Sequence, residues 1–85
     1  MYIHLGGEVT VPADTLISVI DLETVPPSLQ SVNDFIRSED TGNRLQYITG
    51  DIPKSLVITD ERTYVSPLSV GVLKKRAENG MNDLL

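Results

Sequence analysis

Residues 44–76, RLQYITGDIPKSLVITDERTYVSPLSVGVLKKR, decide how this chain folds. Leu45-Gln46-Tyr47-Ile48 reads as a short strand, and Gly50-Asp51-Ile52-Pro53 as the connection that follows it. Lys54 to Thr59 is a strongly apolar second strand, Asp60-Glu61 turns the chain, and Thr63-Tyr64-Val65 forms a third strand. Ser66-Pro67-Leu68 then leads to Ser69, the expected N-cap of a closing helix. Val70, Leu73 and Ala77 share one face of that helix. Gly71 lies inside it at a cost of about 1 kcal/mol against Ala, which suggests that something approaches its backbone closely. Gly80 is the expected end.

Working outward toward the N-terminus, Tyr2-Ile3-His4-Leu5 alternates, Gly6-Gly7 supplies a turn at positive φ, and Glu8-Val9-Thr10-Val11 alternates again. Residues 2–11 therefore read as a β-hairpin. Residues 15–22, TLISVIDL, are β-branched and apolar on both faces, the pattern of a central strand covered on both sides. Leu29, Val32, Phe35 and Ile36 make one stripe of an amphipathic helix over 28–39, with Pro27 in its first turn and Gly42 as the left-handed residue beyond its end. The expectation is an α+β fold: about six mainly antiparallel strands with two helices, at about 28–39 and 69–79. Residues 1–80 make one domain, and 81–85 a frayed tail.

A chain of 85 residues with one Phe, no Trp and no Cys buries only roughly 60–65% of its unfolded surface. Disulfides and thiolate metal sites are excluded, so self-association is the remaining way to gain buried area. The lack of Cys and of a signal-peptide pattern points to the cytoplasm, and no apolar run approaches the roughly 20 residues of a membrane span. Net charge is −5, from twelve acids against seven bases. An acidic chain repels phosphate, so any contact with nucleic acid needs locally clustered bases. No Lys or Arg precedes Arg37.

Catalysis is not expected. The single histidine, His4, sits on the predicted first strand as an ordinary polar residue. Glu39-Asp40 and Asp60-Glu61 read as solvated acids of turns or helix ends. The Lys54-Ser55 pair lacks the glycine spacing of a phosphate loop. No cofactor, metal or small-molecule substrate is implied. Lys74-Lys75-Arg76 is the densest basic feature, read either as bases complementing a helix C-terminus or as phosphate contacts. With Lys54, Arg44 and Arg62 added, one subunit offers two to four contacts and a salt slope of about −2 to −4. Tight binding then requires many subunits acting together.

Met1-Tyr2-Ile3-His4-Leu5-Gly6, Pro53 to Thr59, Tyr64 to Ser69 and Leu73 to Ala77 form an ordered set over residues 1–77. In that set the chain resembles the RemA/RemB family of small bacterial extracellular-matrix regulatory proteins, most of all its RemB branch. The resemblance implies a cytoplasmic, non-enzymatic transcription regulator of matrix and biofilm formation. Its subunits would form a ring that binds double-stranded DNA on the outside, here through Lys54, Lys74, Lys75 and Arg76, with Arg44 and Arg62 as auxiliaries. Where the RemA branch has arginines, this chain has Thr15, Asp51 and Ile52. An acid at 51 opposes a phosphate. The other reading is an acidic, self-assembling scaffold or protein-interaction module without DNA binding.

Overall fold

In the computed structural model, which describes residues 2–26, 28–48 and 50–83, the N-terminal hairpin forms as its alternation predicts. Strands β1 (Tyr2–Gly6) and β2 (Val9–Pro12) pair antiparallel. Ile3, Leu5 and Val11 are buried while Tyr2 and His4 face out. Gly6 and Gly7 take φ of 119° and 53°, the region where a side chain is strained. A Cβ on Gly6 would also sit 3.2 Å from Cδ of Pro67. Beyond Pro12, a short 3-10 turn at Ala13–Thr15 is closed by the Thr15 hydroxyl, which donates to the Pro12 carbonyl at 2.7 Å.

The second sheet contains β3 (Leu16–Asp21), β4 (Leu45–Tyr47), β5 (Ser55–Thr59) and β6 (Thr63–Ser66), in the order β3-β5-β6-β4. Two of its three pairings are antiparallel, and β4 runs parallel to β6. The connection from β4 therefore passes the end of β6 to reach β5. Backbone bonds from Ile48 N–H to Val65 O and from Lys54 N–H to Ser66 O fasten its two ends there.

The strand expected at 15–22 forms, but it is an edge strand and not a central one. Ile17 is 65% exposed, and a bulge shifts the register between Leu16 and Ser18. Apolar residues on both faces do not distinguish a strand flanked on both sides from one with an open edge, because long-range pairing decides which it becomes. Bulging is one way in which natural edge strands resist pairing with other chains. The central strands are β5 and β6, whose Leu56, Val57 and Val65 are buried.

Helix α1 runs Gln30–Thr41, two residues later at each end than the stripe suggested. Its N-cap position is Leu29, with no side-chain cap; the expected place of Pro27 lies outside the described residues. The left-handed residue after the helix is Asn43 at φ 59°, not Gly42, whose φ is −82°. Asn is the side-chain-bearing residue best suited to that conformation.

Helix α2 runs Val70–Asp83 and begins as predicted, with Ser69 Oγ accepting the Val72 N–H at 3.3 Å. It continues beyond Gly80, where an end was expected; a glycine costs a helix only about 1 kcal/mol and does not force it to stop. Residues 84 and 85 of the expected tail lie outside the described residues. Among the described residues nothing packs on Gly71: a Cβ there would meet only the Ser69 hydroxyl, at 4.0 Å.

The core brings the hairpin's Ile3, Leu5 and Val11 against Val57 of β5 and Leu73 of α2. Only seven hydrophobic residues are buried among those described, in keeping with the small size of the chain. Four hydroxyl residues of the central strands, Ser55, Thr59, Thr63 and Ser66, are buried with them. Each finds a partner. Ser66 donates to Leu5 O at 2.6 Å and accepts from Leu68 N–H, which ties the hairpin to the turn before α2. Ser55 donates to Leu68 O at 2.8 Å. Unpartnered, each such group would cost about 1–3 kcal/mol. No described helix is long and apolar enough to cross a membrane.

Candidate nucleic-acid interface

The six candidate bases fall into two sets. Arg44, Arg62 and Arg76 are engaged in intramolecular hydrogen bonds. The side chains of Lys54, Lys74 and Lys75 have no hydrogen bond or ion pair to any described residue.

Arg44 is held most firmly. Its Nε donates to Glu39 Oε2 at 2.9 Å and its Nη2 to Oε1 at 3.3 Å. The Thr63 hydroxyl donates to the same Oε1 at 2.7 Å. Glu39 was expected to be a solvated acid, and it is instead 6% exposed. Position 39 follows Phe35 and Ile36 by four and three residues, so the helix places it on the same face, toward the start of β6. Hydrogen bonding by Arg44, then by Thr63, holds the Glu39 carboxyl below the usual carboxylate range, against the opposing effect of burial. Arg44 thus anchors the end of α1 and is not available as an auxiliary phosphate contact while that pair holds.

Arg62 Nη1 donates to Gln46 Oε1 at 2.8 Å on the exposed surface. Since Leu45 pairs with Thr63, Arg44 and Arg62 adjoin at the starts of β4 and β6. Lys54 is at the other end, where Ser55 pairs with Ser66. Arg62 and Ser66, whose carbonyl accepts the Lys54 N–H, are four residue steps apart, about 13 Å at ~3.3 Å each. The structure therefore does not gather these bases into one patch. Thr15, Asp51 and Ile52, singled out above as departures from the family's pattern, are divided in the same way. Thr15 O accepts the Asp60 N–H at the Arg62 end, while exposed Asp51 and Ile52 lie just before Lys54, Ile52 being 83% exposed.

On α2, Lys74, Lys75 and Arg76 are consecutive and so point about 100° apart around the axis. Lys74 and Lys75 are exposed, and Arg76 is half-buried on the hairpin side. There its Nη1 lies 2.9 Å from His4 Nδ1 and 3.1 Å from His4 O. The helix's last turn contains no base, so compensation of the C-terminus does not account for this cluster. The His4–Arg76 contact joins residues 72 apart, and nothing in the local sequence signals it.

A groove of about 270 Å³ opens between β1, β3 and α2. Leu5, Leu16, Val19, Val70 and Ala77 are among its walls, and Lys74 contributes to its lining. Sequence reading had no means of finding it, because its walls come from four separate segments, Val57 of β5 lining it with the others. No group of three or more His, Asp or Glu residues suited to hold a metal occurs among the described residues.

Fold and surface together define a small α+β protein with an exposed lysine pair on α2 beside an open apolar groove. No family model matches the chain. Over 78 residues it is 32% identical to extracellular matrix regulatory protein B of Bacillus subtilis (strain 168), an alignment covering 92% of this chain and 91% of that protein. The chain belongs to the RemA/RemB family of extracellular matrix regulatory proteins.

Proposed function

We propose that this protein is a cytoplasmic, non-enzymatic transcription regulator of matrix and biofilm genes of the RemB type, acting as a ring-shaped homo-oligomer that binds double-stranded DNA on its outer surface. The observation that carries the DNA reading is the set of uncommitted lysines, Lys54, Lys74 and Lys75. Three phosphate contacts per subunit give a salt slope of about −3, too little for a lone acidic subunit and enough for a ring whose copies act together. The small core, the open β3 edge and the apolar groove support self-association. A head-to-tail contact that closes on itself covers such surfaces in every copy.

Light scattering on the purified protein, followed by a mobility-shift titration with duplex DNA at low and moderate salt, tests both parts. A multi-subunit particle that retards DNA, more weakly as salt rises and hardly at all after Lys74→Glu with Lys75→Glu, is the expected result. An intact oligomer that retards nothing at low salt overturns the DNA reading. That outcome favours the second reading, a self-assembling interaction module, which the net charge of −5 and the dispersal of the bases support. A stable monomer at micromolar concentration removes both.

A further inference from the structure

Arg76 is held by a group that can change its charge. A guanidinium has only donors, so His4 Nδ1, 2.9 Å from Arg76 Nη1, must present its lone pair. His4 Nε2 lies 2.7 Å from the Gly7 carbonyl oxygen, which only accepts, so Nε2 must carry the proton. One state of the ring satisfies both contacts: the neutral Nε2–H tautomer. An imidazolium carries protons on both nitrogens. Its Nδ1–H would then point at an N–H of Arg76, donor against donor and cation against cation.

We propose that His4 is an acid-opened latch for Arg76. While the imidazole is neutral, it holds the guanidinium against the N-terminal hairpin. Protonation removes the acceptor and adds a repelling charge, and Arg76 swings out to join Lys74 and Lys75 as a further free cation. The remaining bond, to His4 O at 3.1 Å, is exposed and does not retain the side chain against that repulsion. The neighbouring elements offer nothing that reverses this sign. Strand β2 brings no ionisable residue, with Thr10 opposite His4. The turn carries Glu8, β1 carries Tyr2, and α2 carries Lys74, Lys75 and Glu78 beside Arg76. None of these side chains hydrogen-bonds the imidazole. Protonation of the imidazole is the one event the latch requires, and lowering the pH is the way to drive it. Its effect on DNA rests on the reading above; the latch itself does not.

The chain has a single histidine, so imidazole NMR signals of the full-length ¹⁵N-labelled protein are unambiguous. At pH 8 they should show a protonated Nε2 and an unprotonated Nδ1, with the Arg76 side chain rigid. On lowering the pH to 5.5, Arg76 should become mobile with the same midpoint as the imidazole titration. In His4→Phe it should be mobile throughout. An Nδ1–H tautomer at pH 8, or Arg76 mobility that does not follow the imidazole, overturns the proposal; both readouts use the unmodified protein and do not depend on the variant's folding. With duplex DNA, the salt slope should steepen by about 0.9 per engaged subunit between pH 8 and 5.5, and not in Arg76→Gln. Coupled His4 and Arg76 signals without DNA binding at either pH would sustain the latch and remove the DNA reading.

Discussion

Arg44 and Arg76 sit in two regions built on different physics, and the difference shows what an arginine in this chain is for. At the start of β4, Arg44 and buried Thr63 converge on one buried carboxylate, fixing α1 to the sheet. Beside the hairpin, Arg76 rests on an exposed imidazole and carbonyl, while apolar packing of Ile3, Leu5 and Leu73 supplies the cohesion. In the first region the polar contacts are the joint itself. In the second they lie over a joint that apolar burial already makes, which leaves the arginine free to be released.

The sharpest way to break this comparison is to remove the shared carboxylate. Glu39→Ala leaves the buried Thr63 hydroxyl and one face of Arg44 without an acceptor. It should cost about 2 kcal/mol in urea unfolding, and a loss below about 0.5 kcal/mol would show that the joint is not polar. Acid tests the same site. Because the Glu39 carboxyl is held below its ordinary value of 4.5, its contribution is complete above that pH and is lost as the pH falls through the folded-state value. Unfolding of Glu39→Gln should lack that part of the acid-induced decline. On the hairpin side, Gly6→Ala forces a side chain into φ 119° and toward Pro67, and a loss of about 1–2 kcal/mol is expected in the same assay.

Smaller effects sharpen the comparison. Ser69→Ala removes the cap of α2 and should cost about 1 kcal/mol. Gly71→Ala should instead stabilise the subunit by up to about 1 kcal/mol, since its Cβ enters open space; if assembly fails while the subunit is stabilised, a neighbouring copy occupies that space. Least of all, Lys75→Ala should leave the urea midpoint within about 0.5 kcal/mol of wild type and make the salt slope shallower by about 0.9 per subunit. An unchanged slope would remove Lys75 from the interface.

The hairpin was legible because two signals coincide: period-two alternation at Ile3 and Leu5, and a Gly-Gly pair where positive φ is required. The Ser69 cap was legible for a similar reason, since capping acts within a few residues. Position 39 was misread because Ser-Glu-Asp-Thr is typical of solvent-exposed turns, and the hydroxyl that makes Glu39 a buried anchor is 24 residues away. Of the six bases, the sequence marked where positive charge is concentrated without separating the committed arginines from the uncommitted lysines. That separation depends on Glu39, Gln46 and His4 arriving from other elements.

What the chain determined alone is local: alternation, helical stripes, the cap, the turn glycines, the acidic balance and a core too small to be generous. These follow from backbone sterics and from side-chain period, which act over a few residues. Only the tertiary structure decided that β3 lies at an edge, that a groove opens beneath α2, and which cations stay free. Each of those depends on which distant segments meet, and pairing across tens of residues leaves no trace in local spacing.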